Sequence, residues 1–107
     1  MDPHTILQLA HILILGPLLI AIGKDLAPIP PTVIAGLGAF ILLYHAYKAT
    51  TAGPRLWINL IHILAVGPAL LAKGLLTPTP RYVDEFLFMF GLTAIVYHGY
   101  YLAANLV

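Results

Sequence analysis

The chain has 107 residues, of which 61% are hydrophobic and 8% charged, against about 25% charged in an ordinary soluble domain. Five Lys and Arg against four Asp and Glu leave a net charge of +1 with no basic run, so a nucleic-acid partner is excluded. The absence of cysteine removes disulfides, thiolate metal sites and cysteine nucleophiles together, and no P-loop, dinucleotide-binding glycine fingerprint or serine elbow points to an enzyme.

A hydrocarbon layer about 30 Å thick needs roughly 20 helical residues, and four segments meet that need. The first is expected over Pro3–Ile22, opened by a proline, whose missing amide costs nothing at the first helical position. Asp2 is placed to cap it, and Gly23 follows it as a C-cap does. No basic segment precedes it, as a signal peptide would require, so this span is expected to be retained. Pro17 cannot donate to the Leu13 carbonyl and is expected to kink the helix. After the connector Lys24–Pro30, a second helix is read over Pro31–Tyr47, with Lys48 in its last turn. The connector Lys48–Gly53 leads to a third over Pro54–Ala72, where Pro68 sets the same kink against Leu64. Lys73 and Gly74 close it in the way Lys and Gly close helices. The fourth, Pro80–Ala104, has Thr79 as cap and Asp84 and Glu85 on the positive end of its dipole. Trp57, Tyr82 and the tyrosines near the ends of helices two and four suit membrane interfaces. The Lys and Arg count on the two faces, two against three, does not set an orientation.

Short connectors make consecutive helices antiparallel. The expected fold is therefore an all-α, up-down-up-down four-helix transmembrane bundle, a single domain over residues 1–107. It is built of two tandem hairpins. Leu9–Leu13 with Gly16-Pro17 returns as Leu60–Leu64 with Gly67-Pro68 at an offset of 51, and Gly23 returns as Gly74. Gly38 returns as Gly91, and Tyr44-His45-Ala46-Tyr47 as Tyr97-His98-Gly99-Tyr100, at an offset of 53. Repeat one is 1–53 and repeat two 54–107. Because each repeat contains two spans, their pseudo-twofold axis is expected along the membrane normal, as in parallel repeats.

Four histidines lie inside spans. With alternating helix directions, His11, His45, His62 and His98 fall within about 5 Å of one depth at 1.5 Å rise per residue, as a four-histidine belt facing the bundle interior. Along helix one, His4, Gln8 and His11 share a face; Arg55, Asn59 and His62 repeat that stripe on helix three. Gln8 and Asn59 are expected to donate hydrogen bonds that fix the imidazoles. Gly38 and Gly91 each precede a histidine by seven residues, leaving a bare patch that admits either close helix packing or a flat ligand. Ionisable residues inside a membrane are costly and mark functional sites by default. The alternative is structural: Tyr44, Tyr47, Tyr97 and Tyr100 are placed to satisfy the histidines by hydrogen bonds.

The doubled motifs His-Ile-Leu-x-x-Gly-Pro and Tyr-His-x-Tyr resemble those of small four-span, tandem-repeat membrane proteins encoded by large DNA viruses of algae and protists. That resemblance covers nearly the whole chain and implies a virion or host-membrane location. It carries no activity over.

The leading functional expectation is a histidine-lined intramembrane site for haem b or a transition metal, with His11, His45, His62 and His98 as ligands and Gln8, Asn59, Gly38 and Gly91 around them. Alternatives are a structural, viral membrane component that recruits other membrane or capsid proteins, and a small proton or ion channel. The apolar far half of the bundle argues against an open pore in a monomer. Expected partners are the lipid bilayer and further copies of the chain.

Overall fold

The computed structural model describes residues 3–26, 28–51, 53, 56–76 and 78–106, apart from the side chains of residues 4, 105 and 106. Its regular structure is all helical. Helix α1, residues 3–23, is made of Pro3–Ala10, a π-helical turn His11–Leu15, and Gly16–Gly23. Helix α2 is Pro31–Ala49. Helix α3, residues 56–75, is Leu56–Ile61, a second π turn His62–Val66, and Gly67–Leu75. Helix α4 is Arg81–Leu106. All four are long and apolar enough to cross a membrane.

The starts follow proline chemistry with one displacement. Pro31 opens α2, and the Pro30 carbonyl accepts from the Val33 amide at 3.0 Å. Pro80 stands one residue outside α4, where its carbonyl accepts from Val83 at 3.0 Å. Thr79 does not cap α4 through its side chain: its hydroxyl donates to the Leu76 carbonyl at 3.1 Å, just beyond the end of α3. Asp84 lies in the first turn of α4, and Lys48 and Lys73 lie in the last turns of α2 and α3. Asp2 and Pro54 lie outside the described residues.

The glycines expected as C-caps have another role. Helix α1 ends through Asp25, which takes the left-handed conformation at φ 52°. Leu26 donates back to Ala21 at 2.9 Å and Asp25 to Ile22 at 3.3 Å, the paired bonds of a Schellman ending. Gly23 is the last residue of that helix and Gly74 lies inside α3.

Pro17 and Pro68 act through register. In each helix the turn before the Gly-Pro pair widens, so that the Gly16 amide reaches the His11 carbonyl and the Gly67 amide reaches that of His62. Such π turns absorb a proline's missing donor and ring clash without ending the helix.

Two compact units form, and they cut across the repeats. Unit one is Met1–Ala27 with Asp84–Val107, and unit two is Pro28–Val83. Within unit one, α1 packs on α4 in opposite directions. A Cβ on Gly91 would stand 2.6 Å from the Gly16 carbonyl oxygen and 2.9 Å from the Ile20 nitrogen, and one on Gly23 would stand 2.6 Å from the Asp84 oxygen. Within unit two, α2 packs on α3 by the corresponding atoms. A Cβ on Gly38 would stand 3.0 Å from the Gly67 oxygen and 2.9 Å from the Leu71 nitrogen, and one on Gly74 would stand 2.6 Å from the Pro31 oxygen. Backbones approach this closely only where no side chain intervenes. Leu87 in unit one and Leu70 in unit two are fully buried against these seams.

Candidate functional site: two histidine pairs

The structure gathers His11, His45, His62 and His98 in twos, one pair in each unit. In unit one the rings of His11 and His98 lie 4.1 Å apart, tilted by 33°. In unit two His62 and His45 lie 4.0 Å apart, stacked at 18°. Each pair takes one ring from the first helix of one repeat and one from the second helix of the other.

Every ring is oriented through Nδ1. His11 donates to the Leu7 carbonyl at 2.8 Å, and His62 to that of Ile58 at 2.8 Å. His45 donates to Asn59 Oδ1 at 2.9 Å, and His98 to Gln8 Oε1. An oxygen without a hydrogen can only accept, so Nδ1 carries the proton in all four rings and the lone pair of each neutral imidazole sits at Nε2. Gln8 and Asn59 are therefore acceptors toward these rings, where donors were expected. Each serves the histidine of the helix packed against its own. Both amide residues are buried, Gln8 at 4% exposure and Asn59 at 9%. A polar group so placed is stable only when hydrogen-bonded.

The local sequence explains this geometry. Gln8 and His11 are three residues apart, as are Asn59 and His62, so imidazole and amide project from the same face of one helix. The partner histidine enters between them because a glycine seven residues earlier, Gly91 or Gly38, lets the two backbones close. Neighbouring backbone fills the bare patches at Gly38 and Gly91. Close helix packing, rather than a flat ligand, uses that space.

Tyr44 stands edge-on to His45 at 5.2 Å, and Tyr97 edge-on to His98 at 5.1 Å. Tyr47 and Tyr100 are exposed. The Leu7 and Ile58 carbonyls belong to the site although only main-chain geometry reveals them; the available signal was position, four residues before each histidine. The His4 side chain and Arg55 lie outside the described residues, so the polar stripes can be followed from Gln8 and Asn59 onward. Among the described residues no three His, Cys, Asp or Glu gather as a set able to hold a metal ion.

Chemically, each pair sets two imidazoles face to face with an Nδ1–H of each directed at an oxygen. In comparisons with known protein families, with curated proteins and with solved structures, nothing matches this chain.

Proposed function

We propose that the chain is a multi-pass integral membrane protein, an up-down-up-down bundle of two tandem hairpins. In this reading its two histidine pairs bind protons within the bilayer, as the working part of a small proton channel or carrier. Membrane embedding is supported by exposed apolar surface: no span window has more than 28% of its residues buried, far more open hydrocarbon than a soluble monomer tolerates. A virion or host membrane is the location the sequence motifs suggest.

One observation carries the proton reading: all four Nδ1–H groups donate to oxygen while the rings face each other in pairs. A proton taken up at Nε2 turns the existing Nδ1–H bond into a charge-assisted one and sets an imidazolium against the π face of its neighbour. A second proton on the same pair meets the first as a like charge. Each pair thus has two accessible states, neutral and singly charged. The test is dye-reported proton flux into vesicles holding the purified protein under a potassium diffusion potential. Flux above that of empty vesicles, lost in the double variant His11→Ala with His62→Ala, is the expected result; flux no greater than in empty vesicles defeats the reading.

A second reading keeps the guest as a transition metal or haem b. Its support is the same Nδ1 anchoring, since metal-ligating histidines ordinarily donate their other nitrogen to a carbonyl or carboxylate, and imidazole suits zinc, copper, nickel and iron. A haem between the two rings of one pair would have to part rings 4.0 to 4.1 Å apart. Elemental analysis and a search for a Soret band in mild detergent distinguish this reading from the first.

A further inference from the structure

The contacts that build each unit have a common property: they join one repeat to the other. Gly91 meets the Gly16 oxygen and the Ile20 nitrogen; moving the α4 residue back by 53 and the α1 residues forward by 51 gives Gly38 against the Gly67 oxygen and the Leu71 nitrogen, which is also observed. Gly23 against the Asp84 oxygen and Phe88 nitrogen becomes Gly74 against the Pro31 oxygen and Ala35 nitrogen. The bond from His98 to Gln8 becomes that from His45 to Asn59, and the His11–His98 ring pair becomes His62–His45. Each repeat therefore carries both halves of one recognition code: a first helix with an amide, an imidazole and two contact glycines, and a second helix with a glycine and an imidazole to match.

We infer that the two repeats are complementary hairpins that recognise each other without needing to be joined, and that the partner fitting either repeat is a second hairpin of the same spacing. Within one chain that partner is the other repeat; between chains it is the repeat of a second copy. The association is isologous in kind, each hairpin giving and receiving the same set of contacts. It combines close backbone approach with imidazole-to-amide bonds, the kinds of interaction that hold helices together in lipid. This inference is independent of what the histidines bind.

The connector between repeats is open to cutting. Thr50, Thr51 and Gly53 are exposed, and Gly53 has open space around it at a left-handed φ of 57°. The experiment places a protease recognition sequence between Thr51 and Gly53 of the full chain, with an affinity tag on the N-terminus, and cuts the purified protein in mild detergent. The inference expects the tagged half to retain the other at one to one through size exclusion. Incubation with a cut second copy bearing a different tag is expected to yield mixed pairs. Separation of the halves on cutting overturns it. The cut double variant Gly38→Leu with Gly91→Leu, blocked at both seams, is expected to release its halves, and retention there overturns the assignment of the contacts. The retention test on the unsubstituted chain decides the matter whether or not that variant folds.

Discussion

The two units solve one packing problem with different side chains, and their differences separate what the arrangement requires from what it tolerates. Both keep a π turn beginning at a histidine, a glycine against a carbonyl, a ring pair near 4 Å and an Nδ1–H directed at an amide oxygen. Around that common part they diverge. Unit one uses Gln8 where unit two uses the shorter Asn59, and it buries His98 to 6% exposure while the corresponding His45 is half-buried. Beyond the rings, unit one continues from Tyr97 to Tyr101 at 4.9 Å, whereas unit two continues from Tyr44 back to Phe40 at 5.9 Å. Unit one also sets Lys24 over the Phe88 ring at 4.4 Å; the corresponding positions in unit two are Leu75 and Ala35. Backbone approach and imidazole orientation are thus the shared demands, and the aromatic and cationic surroundings are adjustable.

The strongest way to break the comparison is at the seams. Gly91→Leu and Gly38→Leu should each cost about 3 kcal/mol, because the added side chain meets backbone that cannot turn aside. Gly36→Leu and Gly99→Leu, where nothing lies within 4 Å of a new Cβ, should cost nothing, and thermal unfolding in detergent reads all four. Equal effects at seam and open positions would show that the close contacts do not hold the pairs.

Removing a ring sharpens the difference in burial. His98→Ala should cost about 2 kcal/mol and His45→Ala about 1 kcal/mol, since an abandoned amide oxygen is penalised more when it is better sealed. The reverse order in the same melts would contradict the burial argument. A smaller effect is expected from exchanging the amides. Gln8→Asn should cost about 1 kcal/mol through a one-methylene gap and a lengthened bond. Its check is loss of the His98 Nδ1–H resonance from the hydrogen-bonded region of the proton spectrum; a resonance left in place means the amide does not orient that ring. The smallest effect belongs to Lys24→Ala, about 0.5 kcal/mol from the lost cation–π contact. Leu75→Ala, at the corresponding site in unit two, should leave the melt of its own seam unchanged, and a larger loss there than for Lys24→Ala would remove this contrast.

Much of the fold was readable from the residues because hydropathy and proline act locally. Four apolar runs opened by proline placed the helices, with ends displaced by a few residues at Pro80, Ala72 and Tyr47. The pairing of helices was not readable: spacing shows that Gln8 and His11 share a face, but it does not say which helix covers that face. Gly23 and Gly74 were misread for a related reason, since a glycine after an apolar run serves equally as a cap or as a contact, and only the neighbour's backbone distinguishes them. The residue types of the site were visible, yet its direction was hidden. Whether an amide gives or receives a hydrogen bond depends on which nitrogen of the ring it meets, His98 for Gln8 and His45 for Asn59, and residue spacing specifies neither that ring nor its tautomer; the Leu7 and Ile58 carbonyls, which orient the other two rings, carry no residue-specific signal.

The wide turn at His11 and again at His62 also bears on where the two copies differ in length. It stands at His11–Leu15 and again at His62–Val66, an offset of 51, and Gly23 and Gly74 keep that offset. From Gly38 and Gly91 onward the offset is 53, so the two copies differ by two residues somewhere between those glycines, across the stretch that links the first helix of a hairpin to its second. A π turn carries more residues per turn than an α turn, and both copies carry it in the same place, so the two first helices stay in step from the histidine to the contact glycine that follows. The difference of two residues falls in the stretch between the helices of a hairpin, where a change of length turns no histidine away from its partner.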